Sequence, residues 1–441
     1  MNANQKITRR QLLQGSAMVA VGAVTLPYLI PSNVLARQGF AGANDRIGVA
    51  GIGVGRQGTS DLNALHNIGG RIVAVADAYL RRAGEVGKQF GAEPFQDYRR
   101  VLDRKDVDAV ITATPDHWRS LVCIHACQAG KDVYAEKPLT LTVAEGRKMV
   151  QAARKHHRVF QVGSQQRSMV PNRLGCELVR NGKLGKIKKV IGYNYPSPWN
   201  CALPAKPVPD GLDWDMWSGP VEPVAFHPDL FAPRANPGWM SFRPYSGGEV
   251  TGWGSHGIDQ IQWALDMDES GPVEIWTDGS PFDPPTYEKP EAKDRGNRIC
   301  SVPRVNFRYA NGIVVELSHG KNCFGGIFVG EDAKIEILRD RLKSNPPELA
   351  KTPVDSLPIR LYKSDNHMQN WLDCIKTRKR PVADVETGHR SATVCHLCNI
   401  ARWLNRRLRW DPEKEMFPGD AEANAYLDRP RRKGYELPAI G

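Results

Sequence analysis

Between Asn44 and Ser168 short apolar runs alternate with helical patterns, and this alternation constrains the fold more than any other feature of the chain. Strands are expected at Ile47–Ala50, Arg71–Ala76, Ala109–Ala113, Asp132–Ala135 and Val159–Val162, with helices such as Tyr79–Phe90 and Ser120–Ala129 between them. Such a run predicts a parallel sheet covered by helices on both faces. The remainder does not alternate. A helix at Asn172–Asn181 leads to a strand near Lys188–Tyr195. The stretch Pro196–Pro244 then carries 11 of the 32 prolines, too many for regular structure throughout. Extended runs return at Val273–Thr277, Arg304–Tyr309, Ile313–Ser318 and Ala333–Leu338, and helices at His367–Thr377 and Gly388–Leu404 close the chain. The expected fold is α/β: a doubly wound, Rossmann-type domain over residues 44–168, then an α+β domain over 169–441 with a large open mixed or antiparallel sheet.

Residues 1–36 are expected to lie outside both domains. Arg9-Arg10 precedes an apolar, acid-free stretch (Ala17–Ile30), and Val34-Leu35-Ala36 offers small residues for cleavage. Paired arginines before such a run read as a twin-arginine export signal, and the run is too short and interrupted for stable membrane insertion. That route carries folded proteins to the periplasm or beyond, so any cofactor would be loaded first and then held tightly. The roughly 400 residues that follow suffice for two domains with their own cores.

The net charge of +12 falls to +9 when Lys6, Arg9 and Arg10 are removed with no acid. The basic residues are dispersed and not interleaved with aromatics, so no nucleic-acid surface is expected. The nine cysteines are scattered; Cys395 and Cys398 have C-x-x-C spacing, but within a helical pattern and with no second pair, so no metal site is expected.

The first strand runs into Gly51-Ile52-Gly53-Val54-Gly55-Arg56-Gln57-Gly58, which opens a helix. Glycines there let the backbone approach a pyrophosphate lying on the helix N-terminus. Two registers compete: Gly53, Gly55 and Gly58 satisfy G-x-G-x-x-G, whereas Gly51 and Gly53 sit better against the expected strand end, with Arg56 in the third place. The second is favoured. Asp77 ends the second strand, where a carboxylate accepts ribose hydroxyls and repels a 2′-phosphate, which points to NAD. Arg81 and Arg82 keep NADP open. Thr114-Pro115 ends the next core strand at the same sheet edge.

Glu136-Lys137-Pro138 follows the strand Asp132–Ala135. A lysine fixed at a strand end beside a carboxylate can polarise a carbonyl or, as the neutral amine, take a hydroxyl proton. Six of the eleven tryptophans fall between Trp199 and Trp263. They either stack on sugar faces or fill a core.

The glycine loop, Asp77, Ala113-Thr-Pro115, the run from Ala129 to Pro138, Gly163–Arg167, Leu212–Pro220, Ser246–Asp259 and Arg380–His389 together resemble the Gfo/Idh/MocA oxidoreductases, in particular an exported bacterial branch. The resemblance implies a nicotinamide cofactor in the first domain, a sugar, polyol or glycoside against the second domain's sheet, and homo-oligomers paired through the sheet's other face. It implies that Lys137 is the catalytic lysine, Glu136 its cofactor-contacting neighbour and His256 the catalytic histidine. His117 and Gln165 are expected at the nicotinamide pocket, and Arg167, Trp217 and His227 are candidate substrate contacts. Many members carry aspartate four residues before the histidine; here it is Gly252. Asp259 therefore either rebuilds the relay by orienting His256 or caps the helix Ile258–Leu265. Arg119 stands where relatives often have histidine.

The expected activity is NAD(P)-dependent oxidation of a secondary hydroxyl. Export removes the protein from a free nicotinamide pool, so the chemistry is either a paired oxidation and reduction of two sugars or redox-neutral glycoside hydrolysis by oxidation, elimination, water addition and reduction. A third possibility is a non-catalytic sugar-binding protein that retains its nucleotide.

Overall fold

The computed structural model describes residues 46–233, 238–289, 301–319 and 324–440, so the expected export signal lies outside the described residues. The first domain contains β1 (Gly48–Ile52), α1 (Arg56–Asn67), β2 (Arg71–Ala76), α2 (Leu80–Phe90), β3 (Glu93–Phe95), β4 (Ala109–Thr112), α3 (Asp116–Gln128), β5 (Asp132–Ala135), α4 (Val143–Lys155) and β6 (Phe160–Val162). The strands are parallel in the order β3-β2-β1-β4-β5-β6. This is the doubly wound arrangement, whose strand order reverses beside β1. β1, β4 and β5 are buried at every position, as continuous apolar runs must be when helices cover both faces.

The second region contains α5 (Val170–Arg180), β7 (Ile187–Tyr193), α6 (Trp214–Ser218), α7 (Gly254–Ala264), β8 (Glu274–Asp278), β9 (Arg304–Arg308), β10 (Val314–His319), β11 (Gly326–Gly330), β12 (Lys334–Leu338), β13 (Arg341–Asn345), α8 (His367–Thr377), α9 (Val385–Leu404) and β14 (Leu408–Arg409). Its sheet runs β13-β12-β11-β7-β10-β9-β8-β14. Only β7 and β10 pair in parallel among these neighbours. Alternate residues such as Val190, Val315, Leu317, Ile335 and Ile337 point inward and pack against Ile258 and Ile261 of α7 and Val394 and Leu397 of α9. The opposite face carries ion pairs, including Lys189–Glu316 at 2.6 Å and Arg308–Glu274 at 3.4 Å.

The chain boundary near residue 168 does not separate the cores. Met368, Trp371, Leu372 and Ile375 of α8 pack with Val49, Leu62 and Ile111 of the first domain. Tyr435, Leu437 and Ile440 lie against the core on its other side. Cys395 and Cys398 are buried free thiols within α9.

Residues 199–233 and 238–245 form a separate aromatic lobe around Trp199, Trp217, Phe226, Trp239, Phe242 and Tyr245. The lobe docks on the end of β2: Asp213 donates its amide to the Ala78 carbonyl at 3.0 Å, and Leu80 donates to Gly211 at 2.9 Å. Most tryptophans of this stretch therefore fill a core. Among the described residues, no helix is long and apolar enough to cross a membrane, and no group of three or more His, Cys, Asp or Glu side chains could hold a metal ion.

Candidate functional site

The glycine loop resolves its own register. β1 continues to Ile52, two residues past the expected end, so the turn begins at Gly53. Gly53 has φ +77°, and a side chain there would lie 2.8 Å from the Thr114 amide nitrogen. Gly55 sits at the N-cap of α1 with only the Arg82 guanidinium near its open face, at 3.7 Å, and no side chain caps the helix. Gly58 packs so closely that a Cβ would fall 2.3 Å from the Gly53 carbonyl oxygen. These are the three roles of G-x-G-x-x-G: tight turn, open approach and helix–strand packing. The structure therefore takes the other register, because β1 runs two residues beyond Ala50. Gly51 lies inside β1, where a Cβ would strike Leu62 at 2.8 Å, and it serves packing instead of ligand contact.

Asp77 follows β2 and receives the amides of Tyr79 at 2.9 Å and Val54 at 3.1 Å, with the Arg82 guanidinium at 3.4 Å. Burial pushes this carboxyl up, and Arg82 and the two amides only partly offset the rise. Arg82 lies over the Phe231 ring at 5.0 Å.

On the other side of β1 stands the lysine loop. Glu136 accepts from Gln165 Nε2 at 2.6 Å and from the Lys137 amide at 3.1 Å. Gln165 also meets the Tyr134 hydroxyl at 3.2 Å. A Cβ on Gly163 would lie 2.3 Å from Glu136 Oε1, so this turn requires glycine for the carboxylate to fit. Burial raises the Glu136 pKa against the opposing charges of Lys137 and Arg119. Lys137 Nζ donates to the Gly252 carbonyl at 3.2 Å and lies 5.3 Å from the centre of the Trp253 ring. That same ring is 6.4 Å from His256.

A cavity of about 440 Å³ joins these parts. Its walls include Ile52, Gly53, Gly55 and Arg56 from the glycine loop, Asp77, Thr114 and Pro115 at the strand ends, and Glu136 and Lys137. Across from them stand Met216, Trp217, Phe231, Trp239 and Met240 of the aromatic lobe. An uncapped helix start beside an acceptor carboxylate fits a dinucleotide: the helix-start amides would hold a pyrophosphate, and Asp77 would accept from ribose hydroxyls. The lobe's role was not legible in the sequence, since nothing local indicates which sheet edge it covers.

Several expected site residues lie elsewhere. Arg167 is buried and holds Asp259 and Asp268, the closest contacts being 2.9 and 2.8 Å, so it is not a substrate contact. Asp259 is committed to Arg167 and to Ser391 Oγ at 2.8 Å. It neither orients His256 nor caps a helix, because α7 begins five residues earlier, at Gly254. His117 does not line the cavity; its Nε2 pairs with the Trp217 carbonyl at 2.9 Å, and burial depresses its pKa to about 3. His227 Nδ1 accepts the Asp229 amide at 3.1 Å and caps the turn Pro228–Phe231. Trp217 does line the cavity, stacked on Trp214 at 4.4 Å and 10°. Neither Gln165 nor His256 lines the cavity; Gln165 stands behind Glu136, which does.

The sequence singles out Arg119 by its departure from relatives but gives no signal for Asp61. Asp61 of α1 is buried, and burial followed by the charge of Glu136 pushes its carboxyl well up. Arg119 binds Asp116 at 3.2 Å and donates to the carbonyls of Thr114 and Pro138, tying the two strand-end loops together. Ser246 Oγ donates to the same Asp116 at 2.7 Å from the second domain.

Comparison with known proteins agrees with the fold. Residues 46–164 match the model of an oxidoreductase family's NAD-binding Rossmann fold, and residues 176–437 match that of its C-terminal alpha/beta domain. An inositol 2-dehydrogenase from Rubrobacter xylanophilus is 34% identical over 147 residues, 33% of this chain and 42% of that protein. A scyllo-inositol 2-dehydrogenase (NAD(+)) from Bacillus subtilis is 26% identical over 288 residues, 58% of this chain and 79% of that one. The chain spans less than half the length of the first curated relatives it matches, at 42%, 39% and 44%. The crystal structure of an aldose–aldose oxidoreductase from Caulobacter crescentus shares the fold, with TM-score 0.58 and 18% identity over 82% of this chain and 99% of that one.

Proposed function

The chain belongs to the Gfo/Idh/MocA oxidoreductase family, and from that premise we propose that it oxidises a secondary hydroxyl of a sugar, polyol or glycoside with NAD as cofactor. One observation carries the reading: a single cavity joins Asp77, the uncapped start of α1 and Lys137. Bound NAD supplies the hydride acceptor. Asp77 accepts from the ribose hydroxyls, and Arg82, drawn into a pair with it, is not left free for a 2′-phosphate. The amides at the start of α1 hold the pyrophosphate. Lys137 takes the hydroxyl proton as the carbon gives up its hydride, and Glu136, fixed by Gln165, keeps the loop in place. His256 does not line the cavity, so proton transfer is assigned to Lys137 alone. The named relatives act on inositols and aldoses, which supports a cyclic polyol or sugar as substrate.

Export by the twin-arginine route, with the dinucleotide already bound, belongs to the same proposal, as does pairing of subunits through the outer face of the eight-stranded sheet. Away from a nicotinamide pool, the hydride must return on the same protein, to a second sugar or to the oxidised one. Fractionation with N-terminal sequencing tests the first point, and light scattering tests the second. The catalytic reading is tested by incubating the purified protein with polyols, aldoses and glycosides, singly and in pairs, and identifying the oxidised, reduced or hydrolysed products by mass. Turnover by the wild type that persists unchanged in a folded Lys137→Met variant would overturn the assignment of the lysine.

A further inference from the structure

The cavity's far wall is held by the end of the chain. Arg432 donates both guanidinium nitrogens to Asp215, at 2.6 and 3.0 Å, and its amide to the Pro220 carbonyl at 2.9 Å. Asp215 belongs to α6, whose next two residues, Met216 and Trp217, face the glycine loop across the cavity. The carbonyls of those two residues accept from Trp118 Nε1 at 2.9 and 3.0 Å. Trp118 comes from α3 of the first domain and lines the same cavity. Its exposed side is covered by Tyr435, edge-on at 5.5 Å and 84°, and the Arg432 guanidinium lies over that tyrosine ring at 4.8 Å.

The tail has unequal ends. On the first domain, Arg429 and Arg431 grip the buried carboxylate of Glu145 at 2.9 and 3.0 Å, and Arg429 also donates to the His117 carbonyl at 2.8 Å. Removing a partner from such a buried cluster is costly. The Asp215 clasp is the opposite case: its carboxylate is 69% exposed, where ion pairs contribute little on their own. A firm anchor on one wall and a weak clasp on the other describe a fastening that can open without unfolding either domain.

We infer that the dinucleotide site is completed by residues outside the Rossmann domain: α6 forms its second wall, and Arg432 and Tyr435 of the C-terminal tail are positioning residues that hold this wall closed and so set the rate at which the cofactor leaves. The inference rests on the reading of the cavity as a dinucleotide site. Tight retention then comes from a mechanical closure next to Trp118, in addition to the contacts of Asp77 and the glycine loop. It assigns the exposed pair Arg432–Asp215 a role in cofactor exchange that its own stability contribution would not suggest.

The test uses the full chain loaded with NADH, whose dissociation is followed by loss of nicotinamide fluorescence on mixing with excess NAD. The double substitution Arg432→Ala and Tyr435→Ala should raise the dissociation rate at least tenfold and raise the KM for NAD. Asp215→Asn, a surface change at the other half of the clasp, should move both in the same direction, and it serves if the double variant fails to fold. Dissociation within twofold of the wild-type rate in a folded variant would overturn the closure while leaving the proposed function intact. A wild-type protein that binds no NADH would overturn the functional reading, and the closure with it.

Discussion

Lys137 Nζ donates to the backbone carbonyl of Gly252, 115 residues away, at 3.2 Å. This contact brings the lysine loop of the first domain to the turn from which α7 and His256 emerge. It also shows what stands in place of a carboxylate four residues before the histidine: a neutral carbonyl, which orients the lysine amine without adding a charge to the site. If this lysine moves the hydroxyl proton, Lys137→Met should lower kcat by about two to four orders of magnitude, the range of a positioned acid–base group. Dinucleotide affinity, measured by titration, should change much less.

Asp77 lines the cavity just past the end of β2, and in the proposed reading it accepts from the adenosine ribose. Asp77→Ala should weaken NAD by roughly tenfold to a hundredfold, since hydrogen bonds to a charged group contribute about 1.5–3 kcal/mol. With Arg82 released from its partner, the ratio of NADP to NAD affinity should rise. Titrating both dinucleotides against the variant checks the two effects together.

Arg167 and Asp259 form a buried ion pair with Asp268 and Ser391 at its flanks. Asp259→Ala should cost about 3–5 kcal/mol of stability by leaving the guanidinium underpaired. Denaturant unfolding measures this. In protein that remains folded, the KM for substrate should stay near the wild-type value, whereas a catalytic role for Asp259 would lower kcat first.

Gly58→Ala should fail for a different reason. The added carbon would lie 2.3 Å from a backbone oxygen, which cannot swing aside as a side chain can. A loss of about 1–3 kcal/mol is expected from overpacking, together with weaker dinucleotide binding as α1 is pushed from β1. Gly84→Ala, where nothing lies within 4 Å, is the matched control and should be neutral or slightly stabilising.

Glu145 gives the tail an acid-sensitive anchor. Burial alone would raise its pKa, but the guanidiniums of Arg429 and Arg431 with the Leu141 amide outweigh burial, and the net shift is downward. A carboxyl lowered in the folded state contributes stability above its ordinary value of 4.5, and that contribution is lost as pH falls through the lowered value. Cofactor retention should therefore be insensitive to this group at neutral pH and drop in acid below that value. Glu145→Gln should remove this acid-dependent component, read as NADH release against pH.

Much of this was legible from local pattern. The first-domain strands are continuous apolar runs, and their parallel order follows from alternation with helices. Lys137 and Asp77 lie at strand ends, so their place at the sheet edge followed from strand limits alone. The register of the glycine loop did not, because Gly51 is as compatible with a turn as with a strand interior until Leu62 is seen to need the space. β3 and β13 carried no signal: Glu93-Pro94 suits only an edge strand, and Arg341–Asn345 is largely exposed. The Asp259–Arg167 pair and the Arg432–Asp215 clasp join residues 92 and 217 positions apart, and a charge pattern along one chain does not reveal which distant partner neutralises which.

The central claim is that the cavity between Asp77 and Lys137 holds a nicotinamide dinucleotide that does not leave readily. The most direct measurement is to denature the purified protein and identify by mass the small molecules released. The account predicts NAD or NADH, close to one per chain and retained through gel filtration. Finding none, with none taken up when NAD is added to the native protein, would contradict it.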